Sequence, residues 1–231
     1  MVMPPVAALA GCAAMALMPS AMAQVVQVVA PEFIGPGGID EQKVLVHTHG
    51  ALMVITWVLL IPLGALLAHQ KWILKDRQLW GKDLWFRMHV GCQLLGLSTF
   101  IAGLVISFGF LGTEAAGHPG GATGQAHAVM GYIVIFEVLV QLILGAFRPK
   151  IGAPRRPMWF VAHRWFGFGA LLFSWITIYL GIYISHVSPV YQLNYTAWLV
   201  PITICMGIAL ALDICLSLIK PSVLAKTCEP V

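Results

Sequence analysis

Residues 44–68, VLVHTHGALMVITWVLLIPLGALLA, carry no Asp, Glu, Lys or Arg. A helix needs about 20 apolar residues to cross the hydrocarbon core of a bilayer, so this stretch reads as a membrane span. Working outward, four more stretches satisfy the same rule, near Trp85–Leu111, Gln125–Phe147, Trp159–Ile184 and Ala197–Ile219. The composition agrees. Of 231 residues 59% are hydrophobic and only 10% charged, mean hydropathy is +0.87, and a soluble domain of this size carries about 25% charged residues. A soluble globule is excluded, and long continuous apolar runs favour helices over the alternating pattern of a barrel. The fold class expected is all-α, a polytopic membrane helix bundle, with Pro62 kinking the first span.

Residues 1–24 are small and apolar and end in Ala21-Met22-Ala23, as a signal peptide with a small-residue cleavage site does; the alternative is a retained first span. That gives five spans after cleavage or six without it. The expected organisation is a signal-like segment 1–24, a short outer leader 25–43, a transmembrane domain 44–219 and a tail 220–231. Five cysteines (Cys12, Cys92, Cys205, Cys215 and Cys228) form no C-x-x-C or C-x-x-C-H, so a zinc knuckle, covalent haem attachment and a disulfide framework are not expected.

Charge placement orients the bundle. Lys71, Lys75, Arg77, Lys82 and Arg87 cluster at the first link, Arg148, Lys150, Arg155, Arg156 and Arg164 at the third, and Lys220 and Lys226 in the tail. The second link (GTEAAGHPGGATG) and the fourth (HVSPVYQLNYT) hold no basic residue, and Lys43 alone stands on the other side. By the positive-inside rule the first and third links and the tail face the cytosol, with the mature N-terminus outside.

Each of the first four spans has a histidine near its start: His49, His89, His127 and His163. Because successive spans alternate in direction, His49 and His127 fall toward the outer side and His89 and His163 toward the cytosolic side. Coordinating side chains within spans are costly and are functional candidates; a single one also serves as an interfacial packing residue. Zinc or iron without a porphyrin wants more ligands at one depth, and the spans offer only Glu137 and Asp213 as acids. A haem iron needs just two axial ligands, and two imidazoles leave no open coordination position, which makes such a haem an electron carrier. Bundle cores are common places for such cofactors. Glycines recur on the ligand faces (Gly96 and Gly103 after His89, Gly131 and Gly145 after His127, Gly167 and Gly181 after His163), either to admit a flat macrocycle or to let helices pack closely. Arg87 and Arg164 flank two of the histidines and suit haem propionates, a role that competes with plain topology. His47 is a fallback ligand, His69 ends the first span, and His118 and His186 read as loop residues. Glu137 suits a proton path, while Gln141 and a polar interior are enough to house it.

These residues resemble the cytochrome b561 superfamily, specifically the membrane domain often fused behind a DOMON domain. The matching stretches are HGALMVITWVLLIPLGALLA from His49, FRMHVGCQLLG around His89, GQAHAVMGYIVIFEVLVQLILGAFRPK around His127 and WFVAHRWFGFG around His163. The resemblance implies two non-covalent haem b groups, with His49 and His127 on one iron and His89 and His163 on the other, the pairing that topology also suggests. It implies oxidoreductase-type electron transfer from a cytosolic reductant such as ascorbate to a non-cytosolic acceptor such as a ferric chelate or monodehydroascorbate. The leader is too short for a DOMON domain. ALLAHQKW and GQAHAV stand where ascorbate-type members carry ALLVYR and SLHSW, which counts against ascorbate as the donor. The partners expected are the lipid bilayer and a small-molecule donor and acceptor, with no nucleic acid and a homodimer left open. The membrane is expected to be the plasma membrane or an endomembrane. Two other readings are a haem-bearing membrane anchor of a larger reductase and a proton or metal transporter using His and Glu137.

Overall fold

A computed structural model of the chain describes residues 38–74, 76–111, 121–188, 191 and 193–219. The signal-like segment, most of the leader, Lys75, His118 and the tail with Lys220 and Lys226 lie outside the described residues. Five helical segments are long and apolar enough to cross a membrane: Gln42–His69, Leu84–Gly109, Ala122–Ala146, Arg156–Val187 and Tyr195–Ile219. Each coincides with an expected span to within a few residues.

The first span is built from three pieces, α1 (Gly38–Val54), a π-helical stretch (Ile55–Leu60) and α2 (Ile61–His69). Pro62 lacks the N–H that the Val58 carbonyl would accept, and Val58 lies inside the π-helical stretch. The proline is thus accommodated by local widening of the helix, a recognised cause of helix distortion. The widened turn buries Thr56, Trp57 and Val58.

After α2 the chain makes a 3₁₀ turn (Lys71–Leu74) and a hairpin of β1 (Gln78–Leu79) and β2 (Lys82–Asp83), which the sequence reading does not anticipate. Leu79 pairs with Lys82 across the two-residue turn Trp80-Gly81. Both turn residues have positive φ, 50° and 69°, as a type I′ turn requires. The left-handed Trp80 is held by Arg87, whose guanidinium donates to the Trp80 carbonyl (3.2 Å) and lies 5.7 Å from its ring centre.

The remaining helices are α3 (Leu84–Phe110), α4 (Ala122–Ala146), α5 (Arg156–Val187) and α6 (Tyr195–Ile219). The first span packs along α3, α4 packs along α5, and α6 lies against α5 and the first span. At the centre Trp57 meets Phe100 edge to face at 5.4 Å, and the Trp175 indole donates to the Trp57 carbonyl (2.9 Å). Trp57, Phe100, Val134, Ala170 and Ile178 belong to one buried cluster that joins the two helix pairs. Large apolar side chains, among them Leu95, Val105, Phe136, Leu172 and Leu210, face outward. An outer surface this apolar suits lipid rather than water.

Candidate functional site

The packing brings the four histidines together as two facing pairs. His49 on α1 meets His127 on α4 with ring centres 6.4 Å apart and planes at 70°. His89 on α3 meets His163 on α5 at 6.3 Å and 80°. On α5 the two sites are about four turns apart, some 21 Å of helix rise, since His163 marks one and Thr177 touches His127 at the other.

Backbone carbonyls orient three of the rings. Nδ1–H of His49 donates to the Gly103 carbonyl (3.0 Å), that of His89 to Gly64 (2.8 Å) and that of His127 to Thr177 (2.9 Å). A carbonyl only accepts, so Nδ1 carries the proton and the lone pair sits on Nε2, the tautomer that a metal-ligating histidine uses. His163 is held differently. Its ring stacks on Trp159 at 5.1 Å and 7°, Gln141 donates to its backbone carbonyl (2.7 Å), and its Nδ1 is buried with no hydrogen-bond partner.

The pairs fit a haem. With metal–imidazole bonds of about 2 Å and about 1.1 Å from each ring nitrogen to its ring centre, two imidazoles on opposite sides of one iron would have ring centres about 6.2 Å apart. Among the described residues no group of three or more His, Cys, Asp or Glu is placed to hold a metal ion, so the donor sets suit a metal that brings its own equatorial ligands. At the His49–His127 end a cavity of about 270 Å³ is lined by both histidines and by Gly50, Gly131, Trp57 and Phe100. A side chain added at Gly50 or Gly131 would meet nothing within 4 Å; these two glycines leave room beside the rings.

Several of the other glycines on these helices meet a side chain of a neighbouring helix. Gly96 admits the Ile61 side chain, Gly103 admits Met53, and a Cβ at Gly181 would stand 3.0 Å from Cε1 of His127. Gly64 meets Cys92 and Gln93 across the first helix pair, and Gly167 meets Gln141 across the second. These serve close helix packing, and through it the seating of His49, His89 and His127. Gly145 faces open space.

Arg87 supports the hairpin, and its Nε is buried without a partner. Arg164 is exposed and lies over the Phe168 ring at 5.3 Å. The structure adds Arg148, which acts electrostatically on both His89 and His163 and lies 4.3 Å from the Phe86 ring centre. Burial, and then the neighbouring Arg156 charge, pull Arg148 below the ordinary guanidinium value, though a guanidinium still keeps its proton at neutral pH. In the sequence Arg148 counts toward topology and, with Pro149, toward the family resemblance, and nothing in its spacing ties it to histidines on two other helices.

Among the remaining histidines, His47 is exposed at the cavity edge and His49 is the one that meets His127. His186 donates to the Leu193 carbonyl (3.2 Å). His69 bonds both carboxylate oxygens of Asp213 on α6 (2.7 and 2.9 Å). The buried Gln70 adds bonds to Asp213 Oδ1 (2.8 Å) and to Ser217 (2.8 Å). Glu137 is buried between α4 and α5 beside Gly169. Gln141 donates instead to the His163 carbonyl, and Glu137 Oε2 has no hydrogen-bond partner.

The chain is similar to several known proteins. Ferric-chelate reductase 1 of Bos taurus is 31% identical over 148 residues, 63% of this chain and 24% of the relative. Its Homo sapiens counterpart is 28% identical over 148 residues, again 63% and 24% of the two chains. A cytochrome b561 and DOMON domain-containing protein of Arabidopsis thaliana is 24% identical over 187 residues, 81% of this chain and 41% of the relative. The chain therefore spans between about a quarter and two fifths of the length of these relatives. No solved structure matches it. The family model for eukaryotic cytochrome b561 matches residues 48–188, the segment that holds all four paired histidines, and the chain belongs to that family.

Proposed function

We propose that this chain carries electrons across a membrane through two bis-histidine b-type haems, one between His49 and His127 and the other between His89 and His163. The observation that carries the reading is the pair of imidazole separations, 6.4 and 6.3 Å, at opposite ends of one bundle. When bound, each haem supplies a reversible one-electron couple with no open coordination position. The protein's part is to hold the rings. The Gly103, Gly64 and Thr177 carbonyls set three tautomers, Trp159 sets the plane of His163, and a buried apolar cluster joins the helices between the sites. Arg87 and Arg164, joined by Arg148, supply the cationic partners for propionates at the His89–His163 end. By the distribution of Lys and Arg that end faces the cytosol, so electrons enter there from a cytosolic reductant and leave beside His49 and His127. The names of the bovine and human relatives favour a ferric chelate as acceptor.

The test is haem content. The purified protein should show two haems per chain in a pyridine haemochrome assay and a bis-imidazole reduced spectrum. His49→Leu should lose one and His163→Leu the other, each leaving the remaining haem in place. A native protein without haem would sink the proposal.

A further inference from the structure

Glu137 is used by nothing described so far. It is 7% exposed, it lies on a helix that crosses the bundle, and its Oε2 is buried with no hydrogen-bond partner. Its other oxygen abuts Gly169 of α5, where a Cβ would collide with it. The glycine makes the space that the carboxyl fills. Along α4 it stands about 15 Å of rise from His127 but only about one turn from Gln141, whose amide binds the His163 carbonyl. On α5, Gly169 is about 9 Å of rise from His163. The carboxyl therefore lies between the two histidine pairs, nearer to His89 and His163.

Charged and histidine side chains on the packed helices include Lys43, His47 and His49 on α1, His69 on α2, Arg87 and His89 on α3, His127 on α4, Arg156, His163, Arg164 and His186 on α5, and Asp213 on α6. Asp213 is taken by His69, the four paired histidines lie toward the two ends, and none of these groups bonds Oε2. An unpaired carboxylate in an apolar interior is strongly penalised, while the neutral acid is tolerated. A negative charge arriving close by at low dielectric raises that penalty further.

We propose that the Glu137 carboxyl is a proton-binding site coupled to the redox state of the His89–His163 centre. This inference rests on the two-haem reading. When one electron from an external one-electron donor arrives at that centre, those Glu137 carboxyls still ionised in the oxidised state each take one proton from water to become the neutral acid, and they return it to water when the electron leaves. To that extent charge inside the membrane is balanced locally.

The test compares native protein with Glu137→Gln, both loaded with haem, by potentiometric titration at several pH values and by reduced-minus-oxidised infrared difference spectroscopy. Haem stoichiometry is measured first, and its absence from the native protein overturns the two-haem reading and this inference together. With haem present, the native protein should show one midpoint potential that falls as pH rises, and a protonated-carboxyl C=O band gained on reduction. In Glu137→Gln that pH dependence should weaken and the band should be lost, with both haems retained. Glu137→Asp should keep the band, shifted in frequency, and serves where the glutamine variant loses haem. A native difference spectrum without a carboxyl band, or a band that persists in Glu137→Gln, overturns the inference while leaving the two-haem reading intact.

Discussion

At the residue scale, three of the four candidate ligand rings are held by backbone carbonyls, groups that carry no specific side-chain chemistry. His127 receives its orientation from the Thr177 carbonyl and its clearance from Gly181, where a Cβ would stand 3.0 Å from Cε1. Gly181→Val should therefore displace His127, with loss of the haem at that end and retention of the other, read as a halved haem stoichiometry. Gly131→Leu should give the same outcome by a different route, because its side chain would enter open space beside the cavity rather than press on a ring. Thr56 shows how a polar residue is accommodated where no water reaches. It is fully buried, its hydroxyl lies 2.8 Å from the Leu52 carbonyl and 2.7 Å from the Thr99 hydroxyl, and it joins the first span to α3. Thr56→Val keeps the shape and removes the bonds, and should lower unfolding stability by about 1 kcal/mol.

At the element scale, α6 carries no candidate ligand and is tied to the bundle by the buried Ile202 and Met206 and by the cluster around Asp213. His69 and Asp213 are only partly buried, with 38% and 29% of their side chains exposed, so solvent screens part of the attraction. Asp213→Ala removes the carboxylate contacts of His69 and of Gln70, while Gln70 keeps the backbone carbonyl of residue 213 and Ser217. The expected loss is about 1–2 kcal/mol, measured as a lower denaturation midpoint with haem stoichiometry unchanged. The hairpin makes a second element-scale case. Gly81 sits at φ 69°, where a side chain costs about 1–2 kcal/mol. Gly81→Val should loosen β1 and β2 and free Arg87 from Trp80, without reaching His89.

At the scale of the whole molecule, both the end that holds His89 and His163 and the links beside it are rich in Lys and Arg. The expected orientation places the Trp80-Gly81 turn and Gly152 on the cytosolic side. In a variant with the native cysteines replaced, Gly81→Cys and Gly152→Cys should react with an impermeant thiol reagent only when it is presented from that side. Labelling from the opposite side would reverse the direction of electron flow proposed above.

Spans and the division of histidines into two depth classes were legible in the chain itself. Each follows from a local rule: hydrophobic run length and the alternation of successive helices. Four histidines at the starts of four spans can be paired on that basis alone. The tertiary structure decided what local rules do not reach. The partner of Nδ1 in His49, His89 and His127 is a backbone carbonyl on a neighbouring helix, four turns or so from that helix's own histidine, and carbonyls leave no mark in a sequence. Whether a glycine admits a cofactor or a neighbouring side chain depends on which helix faces it, so Gly131 and Gly103 read alike and differ in space. Gln141 and Glu137, one turn apart on α4, look equally able to share a polar interior. Packing sends the amide to His163 and leaves the carboxyl oxygen alone, because the direction of a side chain is set by the surface it meets and not by its place along the chain.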